Sequence, residues 1–267
     1  MTNTWMIASG KGGVGKSTLA AALAVALVRQ GIKTVVLDMD IGLRSLDIHL
    51  GMENSVVYDV LDYARGNCKL SQAVLSSLAM PELSLLPASQ LGTAEEIEPQ
   101  LFAKIVRKLQ KHFDFVLTDA PAGLNNVIEM ILSGAENTLL VVTPDDVSIR
   151  DAERVVTLCR EQQKPAPLLI VNRVIPALVQ SQDMLTPQAI ADALDIPLLG
   201  YVPDDIEVLR ALHRHQTVMD TDCPARFAIE RIARRLSGQA VPMVDIVPPQ
   251  KTKAGWFGRK RRGNAHT

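Results

Sequence analysis

Aromatic residues are scarce, at 4% of 267 residues, while Ala, Val, Leu and Ile are abundant. That mix argues against a β-sandwich and for a parallel sheet wrapped by helices. Cysteine is scarcer still. Cys68, Cys159 and Cys223 are odd in number and far apart, and no CxxC pair exists. A zinc site or a shared iron–sulfur cluster is therefore unsupported, and free buried thiols in a reducing cytoplasm are expected. No run approaches the ~20 apolar residues needed to span a bilayer. WMIAS at 5–9 is apolar but too short for the core of a signal peptide. The expectation is a cytoplasmic protein, soluble or peripheral to a membrane.

Hydrophobic residues make up 47% of the chain, enough for a sizeable core and too many for general disorder. The net charge is only −1, but it is unevenly spread. Residues 251–267 hold six cations and no acid, so the rest of the chain carries −7. An acidic body with a basic tail points to an anionic partner for the tail alone.

Short apolar runs alternate with helical patterns. Strands are expected at 5–9, 34–38, 83–87, 113–119, 138–143, 167–172 and 197–202. Helices are expected at 16–30, 98–112, 147–162, 186–194 and 224–237, the first closed by Gly31. This alternation predicts an α/β fold: a doubly wound, mostly parallel sheet of about seven or eight strands with helices on both faces. The organisation read from it is one globular domain at 1–237, a linker at 238–250 containing Pro242, Pro248 and Pro249, and a basic Trp/Phe tail at 251–267.

Gly10-Lys11-Gly12-Gly13-Val14-Gly15-Lys16-Ser17 fits the phosphate-loop pattern G-x-x-x-x-G-K-[ST]. Glycines let backbone N–H groups converge on phosphate oxygens, and the helix that follows points its positive end at them. Lys16 would neutralise β/γ-phosphate charge and Ser17 would ligate Mg²⁺. A strand before the loop and a helix after it supply the context the mechanism requires. Asp38 and Asp40 close the second strand, at the sheet edge where α/β proteins bind ligands. At i and i+2 the two carboxylates are expected to point the same way. Beside Mg·ATP, one of them would help organise the metal's water shell and the other would orient the attacking water. Asp119 ends the run FDFVLTD and fits a Walker B acid on the metal side, followed by Pro121 and Gly123 in a loop able to sense the γ-phosphate.

The stretch Lys11–Ser17, with a second lysine at its start, resembles the deviant Walker A loop of the MinD/ParA ATPases. The resemblance extends through Asp40-Ile41-Gly42-Leu43-Arg44-Ser45-Leu46-Asp47, Leu86-Pro87-Ala88-Ser89-Gln90, Asp119-Ala120-Pro121-Ala122-Gly123 and Val147-Ser148-Ile149-Arg150-Asp151-Ala152. It covers residues 5 to about 237. It implies that Lys11 crosses to the partner subunit's phosphates, so that ATP is sandwiched in a homodimer. It also implies that Asn172-Arg173 and the Pro203-Asp204 segment hold adenine. The nucleotide set is then Gly10 to Ser17 with Thr18, Asn172, Arg173, Pro203 and Asp204. Lys11, Lys16 and Asp40 are catalytic, and Ser17, Asp38 and Asp119 are on the metal side. Two departures stand out: the family usually has Asn where this chain has Ser45, and Leu124-Asn125-Asn126 is not its commonest wording.

The family's MinD branch ends in a membrane-targeting segment, usually an amphipathic helix. Here Trp256 and Phe257 sit between Lys251, Lys253 and Arg259, Lys260, Arg261, Arg262. Gly255 and Gly258 flank the aromatic pair, so more electrostatics and less helix are expected. The resemblance implies an ATPase, slow without a partner, that docks on the inner face of the cytoplasmic membrane through 251–262. It implies recruitment of a MinC-like division inhibitor and a MinE-like activator near Asp151, with no specific nucleic acid. Two alternatives share the loop: a ParA-like DNA-segregation ATPase and a flagellar-number regulatory ATPase.

Overall fold

The computed structural model describes residues 3–123 and 126–246. The basic tail, the last four linker residues, Leu124 and Asn125 lie outside the described residues. Eight strands form one sheet: β1 (Asn3–Ala8), β2 (Thr34–Asp38), β3 (Leu75–Ser76), β4 (Leu83–Leu86), β5 (Phe115–Asp119), β6 (Asn137–Val142), β7 (Leu168–Val174) and β8 (Leu198–Pro203). Their order is β3-β4-β2-β5-β1-β6-β7-β8, parallel throughout except for β3 against β4. The central strands are continuous apolar runs because both faces are covered by helices.

The helices are α1 (Lys16–Val28), α2 (Leu46–His49), α3 (Val60–Ala64), α4 (Leu70–Ala73), α5 (Pro99–Leu109) and α6 (Asn126–Gly134). They continue with α7 (Asp146–Glu161), α8 (Pro176–Gln180), α9 (Pro187–Leu194), α10 (Ile206–His213) and α11 (Pro224–Leu236). One face of the sheet carries α5, α6, α7 and α9; the other carries α1 and α11. Ala20, Ala21, Ala22, Ala24 and Ala26 leave α1 buried almost all round. Small side chains let it lie between the sheet and α11, so its N-terminus is held rigidly at the carboxyl edge of the sheet.

The seven expected strands are all present. The eighth, β3, has only two residues and is antiparallel, too short for a periodic signal. Helices α2, α3, α4, α6, α8 and α10 were not legible either, since most span a turn or two. Neighbours in sequence are not always neighbours in the sheet. The acidic strand β2 is not beside the phosphate-loop strand β1, because β5 runs between them and pairs with both. Sequence order does not encode that insertion.

The chain leaving α11 is pinned to the body. The Arg235 guanidinium donates to the carbonyls of Val241, at 2.8 Å, and Pro242, at 2.5 Å. The Tyr201 hydroxyl donates to the Val244 carbonyl at 3.1 Å, and Ile246 packs against the core on the sheet face that carries α5, α6, α7 and α9.

Candidate functional site

The phosphate loop joins β1 to α1. Gly13 and Gly15 have φ of 78° and 91°, a left-handed backbone that favours glycine and lets successive N–H groups turn one way. Gly15 also has no room for a side chain: a Cβ there would stand 2.5 Å from the Asn172 amide nitrogen. That amide donates to the Val14 carbonyl at 2.7 Å, so β7 fixes the loop from one side. On the other side Gly10 lies directly against α7, where a Cβ would overlap the backbone of Asp151.

Lys16 is buried and its ammonium stands 3.5 Å from Asp119 Oδ1. Asp119 is fully buried and neither of its oxygens makes a hydrogen bond of good geometry. Burial pushes its carboxyl up, while the charge of Lys16 and the nearby Ser17 hydroxyl pull it back. Asp38 is paired in register with Asp119 at the ends of β2 and β5. Its Oδ1 accepts from Asp40 N at 3.0 Å, and its Oδ2 accepts from Ser45 N and Leu46 N, each at 3.1 Å. Burial, then the charge of Asp119, raises Asp38 to about 7 against those three backbone donors.

Asp40 lies beyond the strand, which stops at Asp38, and its carboxylate shares the surroundings of Lys16 and Asp119. It is half-buried, and burial raises its carboxyl while Lys16 lowers it. Asp40 and Asp119 thus share one ammonium, and Asp38 lies beside Asp119. The uncapped Asp119 oxygens and the excess negative charge fit a divalent cation, and the loop glycines fit a phosphate chain. Among the described residues no group of three His, Cys, Asp or Glu side chains forms a metal cluster on its own. A cation here would rely on the nucleotide and Ser17 for further ligands.

Lys11 points elsewhere. Its ammonium pairs with Asp145 Oδ1 at 3.2 Å, each side chain 42% exposed. Asp145 is also the N-cap of α7, accepting from Ser148 N at 3.0 Å and from the Thr143 hydroxyl at 2.6 Å. A pocket of about 330 Å³ opens beside the loop, lined by Gly15, Thr18, Asn172, Arg173, Pro203, Asp204 and by Asp205, Val208, Leu209, Leu212. The structure therefore brings the loop and both expected base-holding segments together.

The model of the CobQ/CobB/MinD/ParA nucleotide binding domain matches residues 5–218. The septum site-determining protein MinD of Helicobacter pylori is 39% identical over 258 residues, covering 94% of this chain and 95% of that protein. The chain belongs to the MinD family. MinD of Bacillus subtilis is 38% identical over 241 residues, with 89% and 90% covered. Among solved structures, the Aquifex aeolicus MinC:MinD cell division complex matches with a TM-score of 0.85 at 34% identity, covering 91% of this chain and 99% of that one. MinD from Pyrococcus horikoshii, solved with Mg-ADP, matches with a TM-score of 0.78 at 28% identity, covering 88% and 96%. The fold is that of the MinD/ParA P-loop ATPases, and the chain carries their nucleotide-binding domain.

Two groups of residues in this MinD site escaped the sequence reading. Asp145, the counter-ion of Lys11, is 134 residues away in sequence. Only its position as an acid just before a helix marked it. Val208, Leu209 and Leu212 form a pocket wall on α10. The spacing Ile206, Leu209, Leu212 after the N-cap Asp205 was the available signal.

Proposed function

We propose that this chain is an ATP-dependent, dimerising peripheral membrane ATPase that positions the division septum by recruiting a division inhibitor. The observation that carries the reading is the division of labour between two lysines on one loop. Lys16 is buried on Asp119, inside its own site, while Lys11 stands outside it on an exposed carboxylate, free to reach another molecule.

Gly10 to Thr18 would hold the phosphates, and Asn172, Arg173, Pro203 and Asp204 would hold the base. Ser17 and Asp119 would hold Mg²⁺, with Asp38 helping to organise its water shell, and the ion when bound supplies charge neutralisation for phosphoryl transfer. Lys16 stabilises negative charge on the β/γ oxygens, and Lys11 does so on the partner's nucleotide. Asp40 is half-buried beside Lys16 and is the carboxylate left to orient a water, since Asp38 is committed to three backbone donors. Little covalent chemistry is asked of the protein, and positioning carries most of the rate.

The tail would supply the membrane contact. Each cation near an anionic surface is worth about 1 kcal/mol, and two tails on one dimer bind much better than one through effective concentration. ATP would make the dimer, and the dimer would double the anchors. The MinC-containing relative supports an inhibitor of that kind as partner; it and a MinE-like activator would dock on α7 near Asp151. No described helix is long and apolar enough to cross a membrane, which fits a peripheral mode.

Light scattering coupled to gel filtration tests the assignment of Asp40. Asp40→Ala is expected to accumulate as an ATP-bound dimer with hydrolysis lost, while Lys11→Ala stays monomeric with ATP. Unimpaired hydrolysis by Asp40→Ala would remove that residue from the mechanism.

A further inference from the structure

Two clefts meet at Asn126, the first residue of α6. The larger, of about 480 Å³, runs between α6 and α7 and is lined by Glu129, Glu153 and Glu161 around Leu158, with Arg154 as its cation. The smaller, of about 210 Å³, has an apolar floor of Ile97, Val127 and Met130, with Glu95 and Glu98 at its rim. The pattern is acidic, apolar, acidic. The tail has the complementary order: Lys251 and Lys253, then Trp256 and Phe257, then Arg259 to Arg262.

The described chain also delivers the tail to this side of the molecule. Ile246 packs against the same core layer as α6 and α7, and the Tyr201–Val244 hydrogen bond fixes its approach from β8. Helix α6 packs on β1 and α7 against β6. Three strand spacings of about 4.8 Å separate β8 from β1, roughly 14 Å across the sheet. Ten extended residues reach about 33 Å, so Trp256 can arrive at the clefts with length to spare.

We propose that segment 251–262 docks into the paired acidic and apolar clefts at α6 and α7 of its own chain when no membrane is present. The inference rests on the reading above that this segment is the lipid-binding one. The docked tail covers the exposed side of α7, the helix assigned to partner docking near Asp151. One segment would then be shared between two anionic surfaces. Lipid contact would uncover α7 as it captures the tail, so partner docking would be confined to membrane-bound protein.

The test uses the full chain in vesicle-free, low-salt buffer. Trp5 is buried at 8% exposure, so changes in tryptophan emission report Trp256. The expected result is blue-shifted Trp256 emission, with hydrogen exchange in α6 and α7 slower than in a chain ending at Val247. Both effects should be lost in Glu129→Lys/Glu153→Lys/Glu161→Lys. They should be lost equally in Arg259→Gln/Lys260→Gln/Arg261→Gln/Arg262→Gln, which alters nothing in the described fold. Solvent-exposed Trp256 emission with exchange equal to that of the truncated chain would overturn the proposal. So would protection that grows with protein concentration, which would assign the clefts to a second copy's tail. Anionic vesicles should release the protection. A full chain that keeps it and fails to sediment with those vesicles would refute the lipid reading while leaving the docking intact.

Discussion

Lys16 stands 3.5 Å from a fully buried carboxylate that has no other good partner, so its replacement removes two functions at once. Lys16→Ala is expected to abolish nucleotide binding by titration calorimetry, because the loop loses its point charge and Asp119 then repels the phosphates. Asp38 gives a pH prediction. Its folded value, about 7, lies above the ordinary 3.8 of an aspartate, so the folded state holds the proton more tightly. Its contribution is therefore most favourable at low pH and is lost as pH rises through about 7. Between pH 6 and 8 a single such group changes stability by about 1.4 kcal/mol, or ~3–5 °C in a chain of this size. Nucleotide-free protein should melt higher at pH 6 than at pH 8, and Asp38→Asn should flatten that slope. His49, lowered by burial, works in the opposite direction below its usual 6.5, so the paired comparison with Asp38→Asn is the one that isolates the carboxyl. At Lys11 the ion pair with Asp145 is well exposed and worth at most about 1 kcal/mol. Asparagine keeps the helix cap, so Asp145→Asn should leave the melting temperature nearly unchanged. Each dimer frees two such lysines, so the ATP dimer should form at up to about thirty-fold lower protein concentration, measured by analytical ultracentrifugation. At this scale the glycine loop, Lys16 and Asp119 were legible because local spacing encodes them. The Asp145 partnership was not, because two distant segments make it, and the role of Asp38 was only half legible, because the chain folds back onto its carboxylate.

Between the loop and α7 the contact is backbone against backbone at Gly10 and Asp151. Gly10→Ala must displace one of them, and overpacking of this kind costs about 1–3 kcal/mol. The variant should melt lower and bind nucleotide more weakly, whereas Gly31→Ala, strained only by its φ of 78° in open space, should spare nucleotide binding. A thermal melt with and without ATP separates the two. Elements were legible in proportion to their length and burial. Continuous apolar runs marked the seven longer strands, α1 showed itself by its Ala- and Leu-rich run closed by Gly31, and α5, α7, α9 and α11 by their period. The four-residue α2 and α4 and the two-residue β3 are held by tertiary contacts rather than by local pattern. The insertion of β5 between β1 and β2 follows from sheet packing, and it is what sets Asp38 and Asp119 side by side.

For the whole molecule, the proposed function divides the work between an acidic body that would hold the nucleotide and a basic tail that would seek a negative surface. A DNA-segregation role would require a basic surface on the body itself, and the −7 charge outside residues 251–267 argues against it. The central claim is that ATP drives membrane attachment through the tail. Co-sedimentation with anionic vesicles, with ATP or ADP, for the full chain and for one ending at Val247, measures it most directly. The account predicts that only the full chain with ATP sediments strongly, and that raised salt weakens it. Equal sedimentation with ATP and ADP, or binding that survives loss of the tail, would contradict it.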